Sequence, residues 1–507
     1  MRCHVIAIAA ALSIGPAGRA VAQTPLPAGS ARPLVTKVCT RCHGLDKFTS
    51  ERHTREDWAD EVSVMIRYGA PLQAAEAAKV VDYLAQSFPG NPRPHGVTVS
   101  GDVEATITEY AVATPGARPH DPAVAPDGTV WYTGQANGTL GRLDPQTGQA
   151  QEFSLRKLDG AKKFLPYGVG PHGLIADEEG DIWYTAQLAG FVGRLDPRTG
   201  AQTQFRMPDP AARDPHTPVF DQKGTLWFTL QMSDMVGRIV PSTGEVKVVR
   251  VPTAASQPYG IKVSSRGEPW FVELTAGRIG RIDPSTMSVR EYPLPHSGSM
   301  PRRLALTSDD VVWYTDYGRG YLGRMDPTTG RVTEWPTPSG AGPEAQPYAI
   351  AAVDHIVWDV ETGVSPNMLV RFDPATERFQ SWPIPSGGGV VRHMVAAPDG
   401  TLWLACSGVD RLARVNVKAL PAKGPTVSLE SVTLQPAAAR RALTRTEINA
   451  DTAKKLVNVC LAYAKARGGG ASVVVLSPSG YLVHAHRSDG QQPNNVDSAL
   501  RKAQTAL

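Results

Sequence analysis

The chain has 507 residues, 48 of them glycine and 43 proline, with a formal net charge of +4 at pH 7. That length supports several cores, and the turn-rich composition suits many short strands. No cluster of lysine and arginine interleaves with aromatics and no Gly-rich loop follows a predicted strand, which argues against a nucleic-acid surface and a nucleotide phosphate cradle.

The first residues read as a secretory leader. Arg2 precedes the apolar run Val5 to Ile14, and Ala20-Val21-Ala22 before Gln23 forms a small-residue cleavage signal, which predicts a signal peptide over residues 1–22. The run is too short to cross a bilayer, and no later stretch is long and apolar enough. The mature chain is therefore expected in a bacterial periplasm with no membrane span.

Next comes Val38-Cys39-Thr40-Arg41-Cys42-His43. Two thiols three residues apart on a first helical turn can add to both vinyl groups of one porphyrin, and the following histidine then faces the iron. The motif predicts a covalent haem c held by Cys39 and Cys42, with His43 as axial ligand. Zinc or a redox dithiol would also suit CxxC, but zinc wants a second ligand pair, and the remaining cysteines Cys3, Cys406 and Cys460 are isolated. Met65 is the only methionine between Met1 and Met207, and a methionine sulfur would complete a six-coordinate electron carrier; His53 is the alternative. The blocks "CTRCHGLDKFTS", "WADEVSVMIRYGAPL" and "VVDYLAQSF" resemble the single-haem cytochrome c domain over residues 33–88. The resemblance implies a small all-α unit, haem c and one-electron transfer. The run Pro89-Gly90-Asn91-Pro92-Arg93-Pro94 then predicts a linker over 89–104.

A repeat follows. Tryptophan phrases centred on Trp131, Trp183, Trp227, Trp270, Trp313, Trp358 and Trp403 recur every 43 to 52 residues, the length of a propeller blade. Each has an apolar strand and a turn before it, and most are followed by a strand of the kind Gly141-Arg142-Leu143-Asp144-Pro145 and an alternating strand. Four strands per repeat and seven repeats predict a seven-bladed all-β propeller over residues 105–418. The last repeat lacks its outer strand, so Thr106 to Val112 is expected to pair with it and close the ring.

In such a blade, the start of the innermost strand and the end of the second open on one mouth of the central channel. The first position reads His120, His172, His216, Tyr259, Arg302, Tyr348 and His393; the second reads Gly134, Ala186, Leu230, Glu273, Asp316, Glu361 and Cys406. The mouth is expected to be polarised, histidines on one arc and Glu273, Asp316 and Glu361 on the other. Imidazoles suit zinc, copper, nickel or iron, and three carboxylates suit magnesium or calcium, so a divalent metal in the propeller is a candidate cofactor; Arg302 could instead neutralise Asp316 and Glu361. The phrases "GPHGLIADEEGDIWYTAQLAGFVGRLDPRTG" and "QPYGIKVSSRGEPWFVELTAGRIGRIDPSTM" resemble the streptogramin (virginiamycin B) lyase propeller. The resemblance implies a general-base histidine, matched by His393, and carboxylates holding magnesium. Val391 and Cys406-Ser407 stand where it implies carboxylates.

After a second linker over 419–442, Leu443 to Ala466 predicts a helix with Cys460 as a buried thiol, and Ser472 to Leu476 with Tyr481 to Ala485 a hairpin carrying His484 and His486. With "VDSALRKAQTAL" after it, residues 443–507 resemble the first half of the GlcG/HbpS-type α/β domain, which implies a partial unit. The sequence thus points to a multidomain periplasmic haem protein that exchanges electrons with a donor or acceptor, its propeller taking a small organic donor, a metal or a partner protein. The alternative is a streptogramin lyase-like carbon-oxygen lyase with an accessory cytochrome.

Overall fold

Trp-aromatic-Thr strands carry large side chains on both faces, so the strand beside each must yield space. It yields at glycine: a Cβ on Gly141 would stand 1.9 Å from the Tyr132 ring, and one on Gly280 2.1 Å from the Phe271 ring. The arginine after that glycine covers the tryptophan, Arg194 lying 5.5 Å from the Trp183 ring centre and Arg281 5.6 Å from that of Trp270, a cation over a π face. These pairings explain why Trp and Gly-Arg recur together. The tryptophans are almost wholly buried, and the clusters they anchor lie within and between blades.

The computed structural model describes residues 26–41, 44–49, 51–67, 70–156, 169–420, 450–466, 471–476 and 482–487. The chain divides into two compact units, Met1–Pro92 and Arg93–Leu507.

The larger unit holds seven antiparallel four-stranded sheets, the seven blades. Their inner strands are Pro119–Val124, Pro171–Ala176, Pro215–Phe220, Pro258–Val263, Pro301–Leu306, Pro347–Val353 and Val391–Ala396, blades one to seven in order. Six blades are built from consecutive strands. The seventh takes its outer strand from the start of the unit: Val103–Ala111 runs antiparallel to Arg411–Ala419, with Ile107 opposite Val415. The expected closure is present, and it leaves no blade short of a strand. Residues 93–102, expected as linker, are bound along blade six: Ser365 N donates to Pro94 O at 2.9 Å, Val99 N to Ser381 Oγ at 2.9 Å, and Ser381 N to Val99 O at 3.0 Å.

The smaller unit is helical: α1 (Arg32–Cys39), α2 (Asp46–Thr49), α3 (Arg55–Arg67) and α4 (Ala74–Ser87). Thr54 caps α3 by accepting from Asp57 N at 3.2 Å while donating to the Asp57 carboxylate at 2.8 Å; Gln73 and Glu76 form a capping box on α4. Val35, Val38, Trp58, Val62, Val80, Val81 and Leu84 share one core, and Trp58 Nε1 donates to Phe88 O at 3.1 Å. The leader and Cys42 with His43 lie outside the described residues.

Toward the C-terminus, α5 (Ala450–Ala466) is followed by strands Ser472–Leu476 and Leu482–Arg487, paired antiparallel with Val475 opposite His484. The helix buries Ala453 and Val457, whereas Cys460 is exposed. The expectation of a buried thiol is corrected: Cys460 is three residues beyond Val457, yet it falls off the buried stripe. No helix among the described residues is long and apolar enough to cross a membrane.

Candidate functional site

Every inner strand breaks register with its neighbour between its first and fourth residues. A bulge of this kind frees backbone groups and re-aims side chains. The threonine of the Trp-aromatic-Thr phrase collects the freed groups. Thr185 Oγ1 accepts from Gly173 N at 2.9 Å and donates to His216 O of the next blade at 2.5 Å; Thr133 and Thr229 do the same for Asp121 N with His172 O, and Thr217 N with Tyr259 O. The same hydroxyls that stitch blade to blade therefore fix the backbone on which the channel residues stand.

The bulge lets two successive residues of an inner strand reach toward the channel, as His120 with Asp121 and Arg302 with Arg303 do. Pairing of the first residue with the end of the second strand, Pro119 with Gly134 through Pro347 with Glu361 and Val391 with Cys406, fixes both layers. The outer layer is His120, His172, His216, Tyr259, Arg302, Tyr348 and Arg392. The inner layer includes Asp121, Arg303 and His393. Placing His393 in the outer layer is one residue out of register; Arg392 stands there, because blade seven begins with Val391 where the other six begin with proline. Alignment by residue type misses Asp121 and Arg303, and counting from the proline of each blade finds them.

Three imidazoles of the outer layer stack around the channel. His120 and His172 have ring centres 3.7 Å apart, His172 and His216 3.6 Å, and His216 meets Tyr259 at 4.1 Å. All three histidines are buried. Burial drives their pKa values down, to about 3 for His120 and well below the usual range for the other two, so the stack is uncharged at neutral pH.

On the opposite arc Arg302 lies 4.1 Å from the Tyr348 ring centre, 4.3 Å from that of Tyr317 and 5.3 Å from that of Tyr259, and the Tyr259 and Tyr348 hydroxyls hydrogen-bond. Arg302 therefore does not serve Asp316 or Glu361. Against the burial that would raise it, Arg302 holds the Tyr348 phenol down to about 8.

Beneath both arcs a buried ionic knot crosses the channel. Arg303 Nη2 donates to Asp121 Oδ1 at 2.7 Å and its Nε to Arg392 O at 2.8 Å; His120 Nδ1 lies 2.8 Å from Asp121 Oδ1, and His393 Nδ1 3.1 Å from Asp121 Oδ2. Burial opposes the Asp121 charge, but Arg303, then His393 and His120, outweigh it and keep that carboxylate well below its usual range. Burial, and then Arg303, lower His393 to about 4, and the same two causes lower the half-buried Lys262 to about 8.

The structure does not bring Glu273, Asp316 and Glu361 together as a metal group. Each ends the second strand of its own blade; Asp316 and Glu361 are held by nearby donors, and Glu273 is buried with neither oxygen hydrogen-bonded. Asp316 accepts from Met300 N at 2.9 Å and from Arg319 at 3.1 Å, and Glu361 from Ser339 N at 2.8 Å and Ser339 Oγ. Burial, and then Glu291, push Glu273 up to about 8, so it is mostly protonated at neutral pH and a poor cation ligand. Among the described residues the one group of three whose ligand atoms lie within 4.8 Å of one another is His120, Asp121 and His172.

The virginiamycin B lyase family model matches residues 165–423, just over half of the chain. The chain belongs to the virginiamycin B lyase family. A streptogramin B lyase structure is 25% identical over 62% of this chain and 98% of its own, with a TM-score of 0.55. The virginiamycin B lyase of Staphylococcus aureus is 24% identical over 63% of this chain and all of its own, with a TM-score of 0.54. A catalytically inactive histidine-to-alanine variant of that enzyme has been solved with quinupristin. A model described as haem degrading protein HbpS-like matches residues 448–507. A search of curated proteins finds no match. Family membership rests on the propeller; the helical unit lies outside the matched span.

In that helical unit the side chains leave a cavity of about 710 Å³. Its walls are chiefly apolar, from Val38, Phe48, Trp58, Val62, Leu72, Val80 and Leu84, and Cys39 from α1 and Met65 from α3 both line it, with His53, Glu51 and Glu61. The cysteine and methionine singled out in the sequence thus meet at one apolar space, in the size range of cofactor pockets. His53 packs edge-on to Trp58 at 4.7 Å between ring centres.

Proposed function

We propose that the protein is an exported haem c electron carrier whose virginiamycin B lyase-type propeller recognises a small organic molecule or a partner protein. The observation that carries this reading is the apolar cavity with Cys39 and Met65 in its lining, reached from a sequence that places Cys42 and His43 directly after the Cys39 turn. These residues fit the group. Cys39 and Cys42 supply the thiols for covalent attachment, His43 the imidazole ligand and Met65 the thioether, while the surrounding hydrocarbon excludes water and favours the less charged state of an iron centre. When bound there, a haem supplies reversible one-electron transfer. The leader read in residues 1–22 supports a periplasmic site for this chemistry, with an electron donor or acceptor of that compartment as partner. The test is redox potentiometry on the wild type and Met65→Ala. Loss of the thioether should lower the potential and convert a low-spin spectrum into a high-spin or water-ligated one; an unaltered spectrum and potential would contradict the ligand assignment.

Family membership and one observation favour a second reading, carbon-oxygen lyase chemistry. His393 is neutral at pH 7, the protonation state that a general base needs, and its Nδ1 lies 3.1 Å from Asp121 Oδ2. Against it, Val391 and Cys406 occupy the positions where the resemblance implies carboxylates. Incubation with a streptogramin B, followed by mass spectrometry, separates the readings: ring opening by the wild type and none by His393→Ala would establish the lyase.

A further inference from the structure

We infer that the histidine arc of the propeller channel is a transition-metal site held by His120, Asp121 and His172. Their ligand atoms lie within 4.8 Å of one another, all three residues are buried, and they come from adjacent blades whose backbones are locked by Thr133 and Thr185. A second observation points to a ligand independently: His172 Nδ1 and, next in the stack, His216 Nε2 are buried with no hydrogen-bond partner. Unpaired buried ring nitrogens are costly, and an ion is one of the few things that satisfies them.

The donor set selects the chemistry. Two neutral imidazoles and one carboxylate suit zinc and its neighbours in the first transition row, not magnesium or calcium, which want oxygen. His120 Nδ1 lies 2.8 Å from Asp121 Oδ1, so two of the three donors already face one another. Arg303 on the same carboxylate repels a cation and sets the affinity below that of a closed structural zinc site. Three protein ligands leave a coordination position open, the arrangement of a site that receives a substrate atom or water.

The test uses the full-length protein, stripped with a chelator and titrated with zinc alone; calorimetry and elemental analysis read zinc separately from any haem iron. One zinc per chain is expected, with a nitrogen-containing shell at about 2.0 to 2.1 Å by X-ray absorption. His172→Phe keeps a ring in the stack but removes both nitrogens, and should weaken binding at least tenfold. Glu361→Gln, on the opposite arc, should leave it unchanged, and circular dichroism establishes that each variant is folded. If His172→Phe does not fold, Asp121→Asn provides the same comparison. Absence of stoichiometric zinc in the wild type, or zinc binding untouched by loss of a proposed ligand, would overturn the assignment.

Discussion

The helical unit and the propeller channel are lined in opposite ways. The helices leave about 710 Å³ walled by hydrocarbon, whereas the channel is filled by Asp121, Arg303, three stacked imidazoles and an arginine among tyrosines. An apolar void is a cost that a bound apolar group removes, because its walls otherwise lose contacts. A polar knot is held by its own pairings, and a ligand there must replace or extend them. On the proposed reading the helical cavity takes a large hydrophobic cofactor, whereas the channel lining suits something small, polar or ionic.

The comparison breaks most visibly at Cys39. Cys39→Ala should abolish normal two-thioether attachment and leave the void unfilled, so the exported protein should carry little covalent haem and its helical unit should melt first; normal haem content measured by absorbance would undo the contrast. The channel should fail differently. Asp121→Ala leaves Arg303 buried without its partner and is expected to cost about 3–5 kcal/mol in denaturant unfolding of the propeller, with haem content unaffected.

Blade six offers a change in the other direction. Where five other blades place an aromatic ring over glycine, it places Asp359 over Val370, and Asp359 is fully buried with neither oxygen hydrogen-bonded. Burial, and then Glu361, raise its pKa well above 3.8. A carboxyl whose folded pKa is raised loses stability as pH climbs above its unfolded value, since only the unfolded chain releases the proton. Asp359→Leu should therefore stabilise the propeller by about 1–3 kcal/mol at pH 7, with a gain that shrinks toward pH 4; equal gains at both pH values would reject the titration. The smallest effect belongs to a blade-to-blade stitch. Thr185→Val removes the hydroxyl between Gly173 N and His216 O and should cost about 1–2 kcal/mol, read as a shift in the denaturation midpoint.

Periodicity makes the propeller legible. Seven tryptophans at near-constant spacing give the blade count, and the missing outer strand of the last repeat predicts that Thr106 to Val112 closes the ring, a strand the structure extends over Val103–Ala111 against Arg411–Ala419. Site reading fails where the repeat varies. Residue type alone aligns His393 with the other histidines, although Val391 replaces the proline that marks the first position, and the slip hides both Arg392 and the inner layer of Asp121 and Arg303. Cross-channel partners such as Asp121 and Arg303, 182 residues apart, leave no local pattern. The carboxylates Glu273, Asp316 and Glu361 share a register position but not a site, because each ends a strand of a different blade, Asp316 and Glu361 taking donors of their own. Cys39 and Met65 are legible as chemistry from the CxxCH spacing and the scarcity of methionine; that both line one cavity follows only from the packing of α1 and α3 on a common core.

The central claim is a haem held covalently in the helical cavity. Denaturing mass spectrometry of the mature protein, exported from a host that attaches haem c and paired with an optical spectrum before and after reductant, tests it most directly. A chain heavier by one haem, with low-spin ferrous bands, is expected. A mass equal to the bare processed chain, with no such bands, would contradict it.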